Sequence, residues 1–363
     1  MRKEKWLDLE KTVEENYVLG YTVINGRGAF PWRKGICIMG KIDTITKEYM
    51  EDPVVFADAF NQFLYHGDQK IDPARLTELD TTGIVVPYGA GSAGVPEQKY
   101  RDVLKLLYAM TDGRAAYCVM GIENQAEIQY ALPVKNGVYD FLQLSRQVSE
   151  AARSHKKAMK ETGTGTGQPD KMQEEEKPTD GEFLSGFWKT DRLVPVISLV
   201  IYFGPERWDA PLSLKEMYSD VDSVMLAHAP DYHVNLIAPK EMADGEINEF
   251  HSNLREVMLY IKYSGDKEKL NEIIEGDSKF QSMERQAAEV INVVTGSKLK
   301  YPEGKGSVNM CLAIQQMREE SRIEGAVLMC KDLGLSLADT IKRIAEKFQL
   351  SEKESSDTVK LYW

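Results

Sequence analysis

The sequence predicts an α/β domain followed by a helical region, and three observations carry that reading. Apolar runs of strand length occur at "VLKLLYAM", "AAYCVMGI" and "RLVPVISLVIYFG". Asp112-Gly113 stands between the first two, the strongest two-residue hairpin signal, because both positions favour φ > 0. From about Gly245 onward the spacing of apolar residues is helical throughout. Mixed strands and helices first, helices alone afterwards, set the order of the architecture.

The 363 residues suffice for a sizeable core and for more than one domain. An apolar fraction of 42% with 28% charged residues is that of a soluble globular chain. No apolar run approaches the ~20 residues a membrane-spanning helix needs, so no membrane partner is expected. The opening "MRKEKWLDLEKTVEEN" lacks the apolar core of a signal peptide. The four cysteines, Cys37, Cys118, Cys311 and Cys330, form no CxxC pair and show no metal-ligand spacing. The expectation is free thiols in a reducing cytoplasm. The histidines are scattered, and His228 with His233 does not make a zinc site unaided. A net charge of −12 argues against wholesale, sequence-independent nucleic-acid binding, which requires a positive surface. It leaves room for a local basic groove and fits an acidic site for a divalent cation.

Taken in order, residues 1–38 are irregular and spotted with aromatics, with "NGRGAFPWRKG" read as a loop. Met39 opens a cleaner helical pattern. Asp52-Pro53 caps a helix whose apolar residues Val54, Val55, Phe56, Ala59, Phe60, Phe63 and Leu64 fit helical spacing. "DPARLTELD" reads as a short polar helix and "TGIVVPYG" as a strand, with "AGSAGVPEQ" a flexible loop before the hairpin. From Gln125 to about Glu161 the pattern is helical, with Pro133 delaying or kinking the start, and it ends in the basic run "RSHKKAMK". Residues 162–181 are low-complexity and read as a disordered insertion; their glycines lack the Lys-Ser/Thr of a phosphate-binding loop. "RLVPVISLVIYFG" and "YHVNLIAP" are strands, with "SLKEMY" a helical turn between them. Helices follow at about 246–264, 266–276, 279–295, 308–333, 337–348 and 352–361.

The hairpin carries the candidate chemistry. With a two-residue turn, Thr111 pairs with Arg114, and the same register sets Asp102 opposite Glu123. Strand alternation adds Gln125 to that face. Two facing carboxylates repel unless a cation lies between them, and carboxylate oxygens suit Mg²⁺ or Mn²⁺. The competing account is a solvated sheet end, with Asp102 paired to Lys99 or Arg101. Lys105 falls on the opposite face by alternation.

A strand Asp, a turn, a strand Glu-x-Lys and then a helix form the core of the PD-(D/E)XK nuclease superfamily. "YRDVLK…GIENQAEIQYALPVKNGVYD" resembles its branch of recombination-promoting nucleases and putative transposases, in which Glu-x-Gln commonly stands for Glu-x-Lys. "FADAFNQFLYHGDQKI" and "DRLVPVISLVIYFGPERWDAPLSL" resemble the same branch, and the likeness spans roughly Met39 to Tyr301. It implies a restriction-endonuclease-like central mixed sheet flanked by helices. It implies that Asp102 and Glu123 bind Mg²⁺ or Mn²⁺, that the Asn124 main-chain carbonyl is a further ligand, and that Gln125 occupies the lysine's place. Asp58, on the first helix, matches an acid that this helix sometimes supplies; a surface aspartate is the plainer account. The implied reaction is metal-dependent hydrolysis of phosphodiester bonds in DNA, linked to recombination or mobile elements in a bacterial cytoplasm. Lys135, or Lys156 and Lys157, would meet phosphates. The alternative is a non-catalytic relative that keeps the fold as an interaction or regulatory protein.

The expected organisation is thus an extension over 1–38, a nuclease core over 39–240 with its insertion, a helical region over 241–333 and a small module over 334–363. In that module Gly334 reads as a C-cap, and Ser336 with Asp339 and Ser351 with Glu354 as capping boxes. The last helix mixes Glu352, Glu354 and Asp357 with Lys353 and Lys360, which suits packing or homo-oligomerisation better than major-groove reading. The resemblance begins at Met39, and "RKG" just upstream is compatible with a purine-rich ribosome-binding site. Translation is therefore expected to start at Met39.

Overall fold

The computed structural model describes residues 33–79, 82–85, 97–100, 102–109, 115–163, 178–301 and 306–363. Residues 1–32, the hairpin tip and most of the expected insertion lie outside them. The chain divides into two compact units, Met1–Met39 and Gly40–Trp363, and the second holds the sheet and the sites described below.

The central sheet has five strands in the order β1 (Leu76–Glu78), β4 (Val103–Ala109), β5 (Ala115–Gln125), β6 (Val196–Tyr202), β7 (Asn235–Ile237). The β1–β4–β5 pairings are antiparallel and β5–β6–β7 parallel, so the sheet is mixed, as expected. A separate two-stranded ribbon pairs β2 (Thr82–Val85) with β3 (Glu97–Tyr100). Residues read as a polar helix, "DPARLTELD", form a 3₁₀ turn over Pro73–Arg75 and then the edge strand β1. Its register against Leu106 and Leu107 is a long-range pairing that local pattern does not reveal.

Helix α1 (Arg33–Glu51) begins ahead of Met39, where the sequence pattern placed the start. Helix α2 (Pro53–Tyr65) starts as read: the Asp52 carboxylate accepts from Val54 N at 2.7 Å, and Pro53 takes the first position, where its missing N–H has no helical partner to lose. Phe56 and Phe60 of α2 join Ile122, Leu199 and Ile201 of the sheet and helix α8 (Leu254–Tyr263) in the main core. Each such side chain contributes ~1.5–3 kcal/mol on burial.

Helix α3 (Leu132–Gly163) covers the other face. It starts seven residues later than Gln125, with Pro133 in its first turn, so the proline delays the helix rather than kinking it. Leu132 packs with Val200 and Val234. Gly137 faces the Tyr232 ring, where a Cβ would lie at 3.4 Å, in van der Waals contact. Asp140 accepts hydrogen bonds from Ser198 Oγ and, at 2.6 Å, from Tyr232 OH. These contacts pin the helix over β6. The end of the expected insertion is ordered: Thr179 caps helix α4 (Asp180–Ser185) in a full capping box with Glu182.

After β6 come the short helices α5 (Leu214–Met217) and α6 (Ser223–His228). The helix expected over 246–264 is two, α7 (Asp244–Asn248) and α8, broken where His251 and Ser252 bind Asp58. Helices α9 (Lys267–Gly276), α10 (Arg285–Val294) and α11 (Met310–Asp332) complete this region. The C-terminal half of α11 forms a small core with α12 (Leu337–Phe348) and α13 (Glu352–Tyr362), built on Ile323, Val327, Ile344 and Val359. Gly334 takes φ 74, the left-handed value its C-cap role requires. Ser336 and Ser351 cap α12 and α13, the latter in a full box with Glu354. Among the described residues no helix is long and apolar enough to cross a membrane.

Candidate functional site

The site lies at one end of the β4–β5 pair. Val103 pairs with Ile122, and the register runs unchanged to Leu107 with Cys118. One further step sets Asp102 across from Glu123. Nearer the turn the register shifts by one, so that Ala109 pairs with Ala115. The expected two-residue turn lies outside the described residues; the pairs from Val103–Ile122 to Leu107–Cys118 keep the register it implied, whereas Ala109–Ala115 departs from it by one.

Asp102 Oδ2 accepts from the Asn124 backbone N–H at 2.8 Å, which ties the end of β4 to β5. The N–H and C=O of an extended residue leave the same edge of the strand. The Asn124 carbonyl therefore faces the Asp102 side. Gln125 Nε2 donates to Glu123 Oε1 at 3.2 Å, as two residues on one sheet face should. Glu123 and Gln125 register with Val200 and Tyr202 of β6, on the face that α3 covers.

Helix α3 supplies the fourth group. Lys135, in its first turn, donates to the same Glu123 Oε1 through an ion pair. Glu123 is 6% exposed and Lys135 30%, so the pair is shielded from water without being sealed. Burial works to lower the Lys135 pKa, but the charge and hydrogen bond of Glu123, with Tyr139 and Asp102 behind them, outweigh it and raise the ammonium above its ordinary value. Asp102 is held above the usual carboxylate range, chiefly by burial; the Asn124 N–H and Lys135 oppose that shift. Lys135 thus feels both acids, Glu123 more strongly than Asp102.

Asp58 does not join this group. Its buried carboxylate accepts from His251 N at 3.0 Å, Ser252 N at 2.8 Å and Ser252 Oγ at 2.6 Å. It fastens α2 to the loop before α8, so its oxygens are spent on structure. Lys105 lies on the opposite face, with Nζ donating to the Glu51 carbonyl at 2.9 Å and 5.5 Å above the Phe56 ring. Lys156 and Lys157 are exposed at the far end of α3. The Lys135–Glu123 contact is the part of the site that strand reasoning missed. Its signal was positional: the first turn of the helix after β5 must cross the face that carries Glu123.

Among the described residues no three or more His, Cys, Asp or Glu side chains come together as a metal cage. The donors available are the Asp102 and Glu123 carboxylates and the Asn124 carbonyl, all oxygen. Mg²⁺ is commonly held by one or two carboxylates with water and substrate phosphate completing its shell, so this set fits it. Asn136, next to Lys135, is fully buried, and neither its Oδ1 nor its Nδ2 has a partner among the described residues. Such a group is costly unless something polar meets it.

No family model, curated protein or solved structure matches this chain.

Proposed function

We propose that this protein is a metal-dependent DNA endonuclease of the PD-(D/E)XK type, linked to recombination or mobile elements. The observation that carries the reading is the convergence of Asp102, Glu123, Gln125 and Lys135 at one end of a mixed sheet.

In this reading Asp102, Glu123 and the Asn124 carbonyl hold Mg²⁺. When bound, the ion supplies Lewis-acid stabilisation of charge growing on the phosphoryl group and leaving oxygen. Lys135 enters as a cation seated on Glu123 by an ion pair. It contributes the positive charge that a lysine at position 125 would bring, delivered from the helix instead of the strand. The Gln125 amide donates to Glu123 Oε1 and so fixes the orientation of that carboxylate. Asp102 and Lys135 also set the field around the scissile phosphate, where preorganised charge is worth most.

The second reading, a non-catalytic relative, draws on the neutral amide of Gln125 and on the ammonium already seated on Glu123. Mg²⁺-dependent nicking of supercoiled plasmid decides between them. The nuclease reading requires nicking by the wild type and its loss in Asp102→Asn. Wild-type protein that binds Mg²⁺ but leaves the plasmid intact would favour the second.

A further inference from the structure

Helix α3 is basic in a chain whose net charge is −12. Between Leu132 and Lys160 it carries Lys135, Arg146, Arg153, Lys156, Lys157 and Lys160, against only Asp140 and Glu150. At about 100° per residue the six cations fall inside one sector roughly 100° wide. Neither acid lies in that sector. Asp140 is buried and committed to Ser198 and Tyr232, and Glu150, at the sector's edge, pairs with Arg146 at 2.8 Å. The buried residues Leu132, Asn136, Gly137 and Asp140 lie on a different side, and Arg146, Arg153, Lys156, Lys157 and Lys160 are exposed. His155 is turned off the stripe and stacks on Trp188 at 3.8 Å.

From this arrangement we infer that the stripe is a track for the phosphate backbone of duplex DNA. It starts at Lys135 in the candidate site and runs away from it along one helix. The distance from Lys135 to Lys160 is about 38 Å at 1.5 Å per residue, close to one turn of B-DNA, about 34–36 Å. A duplex lying along α3 would meet cations at its backbone while one phosphate stands at Glu123 and Asp102. The local basic face also reconciles an acidic chain with a nucleic-acid substrate, because a net negative charge does not preclude one positive face. The inference rests on the nuclease reading for its choice of DNA, but binding does not need cleavage.

The test is fluorescence anisotropy of the full chain with a labelled duplex of about 30 base pairs, roughly three turns, in EDTA, over a series of salt concentrations. The comparison is with a variant carrying Arg146→Gln, Arg153→Gln, Lys156→Gln, Lys157→Gln and Lys160→Gln, Lys135 being left in place. Each lost phosphate contact should reduce the slope of log affinity against log salt by about 0.9, so the slope should fall by up to about 4.5. Affinity at moderate salt should drop by more than about tenfold. A control removing Lys267, Lys279, Lys298, Lys342 and Lys347 should change both far less. An unchanged slope in the stripe variant, an equal effect in the control, or no duplex binding by the wild type would overturn the inference. Equal affinity for an RNA duplex of the same length would overturn the assignment to DNA. A wild type that cuts plasmid with an unaltered stripe slope would sink the track alone. Binding through the stripe without any cutting would sink the nuclease reading alone.

Discussion

The Lys135 ammonium is paired with Oε1 of Glu123, joining the first turn of α3 to the end of β5. The same oxygen accepts from Gln125. One carboxylate oxygen therefore sits between a helix cation and a strand amide.

Replacing Lys135 should separate binding from catalysis. Lys135→Gln removes a cation that competes for Glu123, so Mn²⁺ affinity by calorimetry should hold or rise. Nicking should fall by about 10²-fold, the scale of losing one preorganised charge at a developing anion. If affinity and nicking fall together, Lys135 merely holds the site in shape.

The pair should also show in stability. Removing Lys135 alone leaves a shielded carboxylate without its ion partner, and a loss of about 1–3 kcal/mol is expected in denaturant unfolding. Lys135→Leu with Glu123→Leu should recover most of it, because replacing both charges by apolar groups is often near neutral. A double variant as unstable as the sum of the singles would deny the pairing.

Asp102 gives a pH dependence whose sign follows from its raised pKa. Its proton persists to higher pH than in an ordinary carboxyl group and competes with a metal ion, so Mn²⁺ affinity should weaken as pH falls from neutral through that raised value. The folded state binds this proton more tightly than the unfolded state does, so Asp102 costs stability above the raised pKa and that cost fades as pH falls through it. Asp102→Asn keeps an acceptor for the Asn124 N–H while removing the desolvated charge. It should abolish metal binding yet melt no lower than wild type at neutral pH. A clear drop in melting temperature would mean that the charge itself stabilises the fold.

Asp58 should behave as a structural anchor. Asp58→Asn weakens the hydrogen bonds it accepts from His251 N, Ser252 N and Ser252 Oγ, and about 1.5–3 kcal/mol of stability should go with the strongest of them. Metal affinity at a temperature where the variant is folded should be unchanged. Loss of metal binding by the folded variant would restore Asp58 to the ligand set.

The open end of the hairpin was legible in the sequence because alternation and cross-strand pairing are local rules. Asp102, Glu123 and Gln125 needed a register; the one read from the turn is off by one at Ala109–Ala115, and the shift between Leu107 and Ala109 brings the open end back to it. The caps at Asp52, Ser336 and Ser351 were legible for the same reason. What escaped depends on contacts between distant segments. β1 is a strand only because β4 lies beside it. The break between α7 and α8 comes from the Asp58 carboxylate, far away in the chain. Lys135 reaches Glu123 because Leu132 packs on Val200 and Asp140 binds Ser198 of β6, and no periodicity in the helix reports that.

The exchange of positions 125 and 135 is the sharpest test of the site. On the resemblance alone, Gln125→Lys would restore the usual lysine and retain or raise activity. The observed contacts change that expectation, because Lys135 already supplies an ammonium to Glu123 Oε1. A second ammonium from position 125 would stand beside the first, and like charges at that range each disfavour the other. Gln125→Lys alone should therefore weaken Mn²⁺ binding and lower nicking. Adding Lys135→Gln moves the cation from helix to strand and keeps the local charge constant, so nicking should return toward the wild-type rate. Calorimetry with the plasmid assay reads both effects on the same preparations. Rescue would show that the cation's presence matters more than the element that carries it. If Gln125→Lys is fully active with Lys135 intact, the two positions do not compete for Glu123, and the account of a shared oxygen fails.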